Sequence, residues 1–174
     1  QAKVDSLLKR YYYAYHNQIT LLAARQGIRL GLDCHTMLPQ APWQSPQPGE
    51  IRPLICLSNR GGLAGEPLDE KVTAPPELLT CFGELLANKL INIESGYPGP
   101  SVQLNYPFRG GYIIKRHSGS GKIPWIQIEF NRCLYLKDDF ENPEPDYDTV
   151  IRMDRLRKLL VEAIYELFGS TNLC

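Results

Sequence analysis

The segment GLDCHTM, residues 31–37, places an acid, a thiol and an imidazole at the end of an apolar run. In open α/β sheets, ligands bind outside the carboxyl ends of the strands, so a strand that ends in Asp-x-His is suited to aim an imidazole into a pocket. His35 is therefore a candidate zinc ligand or general base, and a hydrogen-bonded core histidine is the alternative. Asp33 is expected to be a supporting acid that points to the opposite side.

A second acid, Glu129, lies within the segment PWIQIEF between Ile128 and Phe130. A carboxylate among apolar neighbours is costly to bury unless it is paired. If Glu129 faces a pocket, it is a general-base candidate, because partial burial would raise its pKa towards the working range. The alternative is a solvent-facing residue on an edge strand.

Further polar candidates stand in three other segments. Arg109 is followed by two glycines, which would let the backbone approach a ligand while the guanidinium binds a carboxylate. A surface arginine on a hairpin is the alternative. Asn59 and Arg60 end the segment RPLICLSNR. From their own neighbourhoods, His16 is expected to be a packing residue and His117 a mobile surface residue in a loop rich in glycine and serine.

The elements that would position these residues are helices that alternate with short strands. The apolar spacing predicts helices over 4–25, 76–91 and 148–168, and strands over 28–34, 52–59, 101–105 and 124–130. Over 106–122 we expect a turn, a short strand and a Gly-Ser loop, over 140–148 a linker, and over 39–50 a proline-rich loop that is a candidate lid. The alternation predicts an α/β fold with a mainly parallel or mixed sheet.

Composition restricts the function classes. The 174 residues suit one domain, and 19 basic residues balance 19 acidic ones, which gives no electrostatic case for nucleic acid or an acidic membrane surface. No apolar run approaches the roughly 20 residues that span a bilayer, and no signal-peptide pattern opens the chain. The five cysteines include no CxxC pair. They predict buried thiols in a reducing cytoplasm, with a disulfide framework or a cysteine metal site as the alternative.

Taken together, five segments resemble the N-formylglutamate amidohydrolase family. In order, they are YYYAYHNQI, GLDCHTM, CLSNRGG, YPFRGGYIIKRH and WIQIEFNRCLYL, and they span residues 11–136. In that family a Tyr-His pair on a helix precedes a strand ending in Asp-Cys-His-Ser, and a Phe-Lys/Arg-Gly-Gly turn precedes a strand with Gln-x-Glu. The resemblance implies a phosphorylase/hydrolase-like, zinc carboxypeptidase-like fold, a three-layer α/β/α arrangement in a single domain over residues 1–174.

The resemblance also implies a zinc-dependent amidohydrolase whose small-molecule substrate is an acidic N-acyl amino acid, such as N-formylglutamate. His35 matches the family's late histidine zinc ligand, and Glu129 matches the glutamate that activates the attacking water. Arg109 matches the basic residue that holds a substrate carboxylate. Zinc would supply a water of lowered pKa and polarise the carbonyl. A zinc carboxypeptidase, another N-acyl amino acid deacylase, and a non-catalytic binding relative are the alternatives.

Three other residues gain a role only through the resemblance. Asn59 and Arg60 fall in a segment that lines the family's site, and His16 becomes a substrate-site residue. The family's first zinc ligands come from an N-terminal segment with a Pro-His motif, which nothing here matches. We therefore expect the C-terminal part of a catalytic domain, with a natural short relative as the alternative. By itself this chain is expected to hold zinc poorly and to hydrolyse slowly or not at all.

Overall fold

A computed structural model describes residues 1–91, 96–119, 123–137 and 146–169. The helices are α1 (Ala2–Leu7), a π-helical segment (Leu8–Tyr13), α2 (Ala14–Ala23), α3 (Pro76–Leu90), α4 (Tyr112–Ser118), a 3-10 turn (Arg132–Leu134) and α5 (Tyr147–Gly169). The strands are β1 (Gly31–Met37), β2 (Ile55–Ser58), β3 (Val102–Leu104) and β4 (Trp125–Asn131). This order of helices and strands confirms the predicted α/β class.

The four described strands form one mixed sheet in the order β1-β4-β2-β3. β1 runs parallel to β4, β2 runs antiparallel to β4, and β3 runs parallel to β2. β4 is therefore a central strand, covered on both edges by neighbours. The alternative that Glu129 faces solvent from an edge strand is wrong.

One face of the sheet carries the hydrophobic core. Ile126 and Ile128 of β4 and Ile55 and Leu57 of β2 are fully buried, and they pack against α3 and α5. Full burial of such a side chain contributes about 1.5–3 kcal/mol relative to exposure. Because successive side chains of a strand point to opposite faces, filling this core directs the intervening polar residues to the other face of the sheet, where α4 packs.

The segment 112–118 differs from the prediction, since it is helix α4 and not a short strand. Its β-branched and aromatic residues favour a strand locally, but Ile114 and His117 are buried three positions apart, which is helical spacing. Tertiary burial overrides the local preference here. β1 also extends to Met37, three residues beyond the predicted end at Cys34.

The proline-rich loop that the sequence predicts is present in the structure. The segment 39–50 contains no helix or strand, and a single bridge between Gln40 and Ile51 closes it; its role as a lid stays a prediction. Most of the predicted linker over 140–148 and of the Gly-Ser loop lies outside the described residues. No helix within the described ranges is long and apolar enough to cross a membrane. Cys34 and Cys56 are free thiols, but Cys81 is disulfide-bonded, which agrees with the alternative of a disulfide and not with the expectation of buried thiols alone.

Candidate functional site

The face opposite the core carries two rows of polar side chains across three strands. The strand register aligns Cys56 with Glu129 and Glu129 with His35. One step along the same face, it aligns Ser58 with Gln127 and Gln127 with Asp33. Directly opposed residues of neighbouring strands share a face, so the fold brings the imidazole of His35 and the carboxyl of Glu129 side by side.

His35 and Asp33 lie on the same side of β1. The strand stays extended as far as Met37, so residues two apart share a face. The expectation that Asp33 points to the opposite side is therefore wrong. His35 Nε2 lies 3.0 Å from Asp33 Oδ1, and the imidazole is about half exposed. Asp33 Oδ2 is buried and has no hydrogen-bond partner among the described residues. The pair fixes the ring of His35 and leaves its Nδ1 as the nitrogen that can bind a ligand.

Glu129 is buried, with 6% of its surface exposed. Burial raises the pKa of its carboxyl, while the charges of His35 and Arg52 and a hydrogen bond from Gln127 act in the opposite direction. Glu129 Oε1 accepts that bond from Gln127 Nε2 at 2.9 Å. Its Oε2 accepts no hydrogen bond from any described residue. A carboxylate with a raised pKa and one unoccupied oxygen suits general-base chemistry.

Gln127 connects Glu129 to the turn that carries Arg109. While Nε2 of Gln127 donates to Glu129, its Oε1 accepts the backbone N–H of Gly111 at 2.7 Å. A Cβ on Gly111 would lie 3.1 Å from that oxygen. Gly110 has a φ of 101°, and a Cβ there would lie 2.4 Å from Ile114 Cδ1. Gly111 therefore allows the turn to approach the sheet this closely, and Gly110 allows the positive φ and the close contact with α4.

The same turn is fixed from the other side by β2. Ser58 Oγ donates to the carbonyl of Phe108 at 2.6 Å, and Cys56 Sγ donates to the same carbonyl at 3.4 Å. Burial raises the pKa of the Cys56 thiol, and the nearby charge of Glu129 raises it further. A thiol held in its protonated form is a poor nucleophile. Cys56 therefore anchors the turn and is not suited to nucleophilic catalysis.

Arg109 and Arg60 lie at a second polar cluster. They line a cavity of about 220 Å³ together with Asp69 and Glu70. Arg60 Nη2 donates to Glu70 at 2.7 Å, and Lys115 binds the other oxygen of that carboxylate at 2.8 Å. Arg109 is exposed and, among the described residues, donates only a long 3.4 Å hydrogen bond to the carbonyl of Arg60. Of the two arginines, Arg109 is the one whose guanidinium is available to a ligand.

Asn59 occupies a structural position. It is fully buried, and its side chain donates to the carbonyls of Gly65 and Ala74 and accepts from Gly61 and Asn105. β2 runs antiparallel to β4. The carboxyl end of β2 therefore lies at the opposite end of the strands from the carboxyl ends of β1 and β4. Asn59 therefore lies at the opposite end of the sheet from the residues that follow His35 and Glu129.

His16 and His117 form a buried pair. His16 Nδ1 lies 2.9 Å from His117 Nε2, and the ring of His117 packs on Trp125 with centroids 5.3 Å apart. Burial lowers the pKa of both histidines. The expectation of a mobile, exposed His117 is wrong, because α4 carries it onto the sheet. A substrate-binding role for His16 stays a prediction.

Arg52 is a basic residue of this site that sequence reasoning missed. Its guanidinium lies over the ring of Phe108, with Cζ 5.1 Å from the centroid. Burial lowers its pKa, and the negative charges of Glu129 and Glu50 oppose that effect. Its Nε is buried without a hydrogen-bond partner. Because Arg52 precedes β2 at an irregular position, no periodic pattern in the sequence signals it.

The metal-binding capacity of the described residues is limited. Among them, no group of three or more His, Cys, Asp or Glu side chains could hold a metal ion. His35, anchored through Nε2 by Asp33, has the arrangement usual for a zinc-bound histidine, whose second nitrogen donates to a carboxylate. A catalytic zinc takes three protein ligands, so the described residues do not by themselves fit a zinc ion.

Comparisons with known proteins point to one family. A family model described as N-formylglutamate amidohydrolase matches residues 1–136. Among solved structures, the chain is similar to a crystal structure of N-formylglutamate amidohydrolase from Ralstonia eutropha JMP134 at 2.00 Å resolution, with a TM-score of 0.61 and 25% identity. The match covers 94% of this chain and 54% of that chain, so the chain spans about half the length of this relative. No curated protein matches the sequence.

Proposed function

The chain belongs to the N-formylglutamate amidohydrolase family, and we propose that its polar sheet face is the catalytic face of a hydrolase that cleaves the amide of N-formylglutamate or a similar acidic N-acyl amino acid. The observation that carries this proposal is the register of β1 and β4, which sets His35 beside the buried carboxyl of Glu129. Neither Cys34 nor Cys56 provides an activated thiol, since burial raises the pKa of both. The proposed nucleophile is therefore a water molecule that a general base activates.

In this proposal Glu129 handles the proton. Its Oε1 is held by Gln127, so Oε2 faces the attacking water and accepts its proton as the water oxygen bonds to the amide carbon. The proton is then delivered to the leaving nitrogen as the C–N bond breaks, which yields formate and a free amino acid. A pKa raised by burial favours both transfers, because it lies closer to neutral pH than that of an exposed glutamate.

Arg109 is proposed to hold a substrate carboxylate. It stands on the turn that Gln127 and Ser58 fix to the sheet, and no described acidic side chain forms an ion pair with it. Arg60 and His16 are occupied by Glu70 and His117, respectively. Asn59 would contribute by shaping the loop around Gly61 and Gly65, because its donors and acceptors are all used internally.

Zinc is part of the proposal, with His35 as the one ligand that the described residues supply. The remaining ligands would come from an N-terminal segment with a Pro-His motif, as the family resemblance implies, and nothing in this sequence matches that segment. When bound, zinc supplies Lewis-acid polarisation of the carbonyl and a more acidic water. A cytoplasmic location is also retained as a proposal, on the basis of the free thiols of Cys34 and Cys56.

The direct test is formate release from N-formyl-L-glutamate under single-turnover conditions with zinc, measured on any full-length protein that contains this chain and on the chain alone. We expect Glu129→Gln to lower the rate by about 100-fold or more, the usual contribution of a general base, while substrate binding is kept. His35→Ala should lower zinc binding measured by calorimetry. Cys34→Ser, between Asp33 and His35 but on the other side of β1, is the matched control.

Two results would contradict the proposal. One is an unsubstituted chain that neither binds N-formyl-L-glutamate nor releases formate, which would point to a non-catalytic relative. The other is a Glu129→Gln variant with the full rate. Faster hydrolysis of acetyl- or peptidyl-glutamate than of the formyl compound would assign the site to another deacylase or to a carboxypeptidase.

A further inference from the structure

Arg52 is a fixed basic group whose hydrogen-bonding capacity is not used within the described residues. Its backbone N–H donates to the carbonyl of Pro39 at 2.9 Å, and its own carbonyl accepts from Tyr97 Oη at 2.6 Å. The fold therefore holds the residue from both sides. Its side chain makes no hydrogen bond or ion pair with any described residue, and Nε is buried without a partner.

An unpartnered buried donor on a charged group needs an explanation, since such groups are nearly always satisfied in native proteins. Glu50, the acid two positions earlier, accepts a hydrogen bond from Tyr106 Oη, and Oε1 of Glu129 is engaged by Gln127. Glu50 and Glu129, whose negative charges act on Arg52, therefore balance its charge without accepting hydrogen bonds from its guanidinium. A bound anion would use them.

The position of Arg52 indicates which anion. Its guanidinium lies over Phe108, the residue before Arg109, so Arg52 packs against the turn that carries Arg109. N-formylglutamate carries two carboxylates, and each suits the planar fork of an arginine. The charge of Glu129 acts on Arg52, whereas Arg109 lines the cavity with Asp69 and Glu70. Pro53, next to Arg52, accepts a hydrogen bond from Asn131, two positions beyond Glu129 on β4, so the fold sets Arg52 beside the strand that carries the general base.

We propose that Arg52 binds the α-carboxylate of the substrate, the one closer to the scissile amide, while Arg109 binds the side-chain carboxylate. This inference rests on the proposed function, because it places the reacting amide at Glu129. The pair of arginines would make the site selective for dicarboxylic N-acyl amino acids. Stacking on Phe108 holds the guanidinium plane of Arg52 in place before the ligand arrives, which lowers the entropy cost of binding.

Calorimetric binding of three compounds to the full chain tests this assignment. N-formyl-L-glutamate has both carboxylates, N-formyl-L-glutamine lacks only the charge of the side chain, and 4-formamidobutanoate lacks only the α-carboxylate. For Arg52→Gln we expect about 10- to 100-fold weaker binding of the first two compounds, as for loss of a charge-assisted pair, and little change for the third. For Arg109→Gln we expect weaker binding of the first and third compounds and little change for the second.

Controls separate this role from others. Arg155→Gln, an exposed arginine on α5, should leave all three affinities unchanged, and Arg52→Lys should recover part of the loss because it keeps the charge without the fork. Equal weakening of all three compounds by Arg52→Gln would overturn the assignment, as would no weakening. If the unsubstituted chain binds none of the compounds, the proposed function itself fails; if it binds them without the crossed pattern, only this inference fails.

Discussion

Replacing Gln127 with methionine tests the connection between Glu129 and the turn that contains Arg109, Gly110 and Gly111, here called the glycine turn. Methionine has a similar length but forms no strong hydrogen bond as donor or acceptor. Gln127→Met therefore removes the 2.7 Å hydrogen bond from Gly111 and the 2.9 Å hydrogen bond to Glu129. The neutral bond contributes about 1 kcal/mol and the bond to a carboxylate about 1.5–3 kcal/mol. We therefore expect the free energy of unfolding at neutral pH to fall by about 2.5–4 kcal/mol.

Urea unfolding measures this change, and carbon-13 NMR of the Glu129 carboxyl measures a second one. Loss of the donor should raise the pKa of Glu129 further, because Gln127 is one of the groups that hold it down. Gln127→Glu is the matched comparison, since it keeps an acceptor for Gly111 but sets two carboxylates together; its loss of stability should shrink at acid pH, where one of them is protonated. If Gln127→Met lowers the free energy of unfolding by less than about 0.5 kcal/mol and leaves the pKa of Glu129 unchanged, the reasoning is refuted.

Three further predictions concern residues around the site. Lys115 and Arg60 hold the pKa of Glu70 at about 2, below its ordinary 4.5, so the stability difference from Glu70→Gln should be present above pH 4.5 and disappear as pH falls towards 2; chemical unfolding across this range in low salt measures it. Asn59→Ala should lower the free energy of unfolding by about 3–5 kcal/mol, because four side-chain hydrogen bonds are lost; a stable variant altered only in substrate affinity would contradict this. Burial lowers the pKa of His117 from 6.5, so its stabilising contribution is present above pH 6.5 and is lost as pH falls through the lowered pKa. His117→Phe should therefore make stability less dependent on pH below 6.5. Thermal unfolding at several pH values measures this.

Much of the fold was predictable because hydrophobic periodicity reports burial. The alternation of Ile126, Ile128 and Phe130 with polar residues located β4 and put Glu129 on the face opposite the core. The extent of burial of Glu129 followed from the central position of β4, which a single sequence does not show. Strand direction is also invisible to periodicity, so the antiparallel course of β2 and the resulting placement of Asn59 were missed.

The residues that surround Glu129 were harder to predict than Glu129 itself. Cys56 and Ser58 alternate with Ile55 and Leu57, but a cysteine within an apolar run conceals the alternation. The pairing of His16 with His117 joins positions 101 residues apart, and no local pattern encodes such a contact. Local sequence located the strands that carry the site, whereas the supporting contacts depend on how distant segments pack.

The most direct measurement of the central claim is amide NMR of the labelled chain during titration with N-formyl-L-glutamate. If the polar face of β1 and β4 is the substrate site, the largest shifts should fall on the signals of His35, Gln127 and Glu129 and on the glycine turn at Gly111. Shifts confined to the separate groove of about 750 Å³ near Val72 and Ile123, with these signals unmoved, would contradict the account.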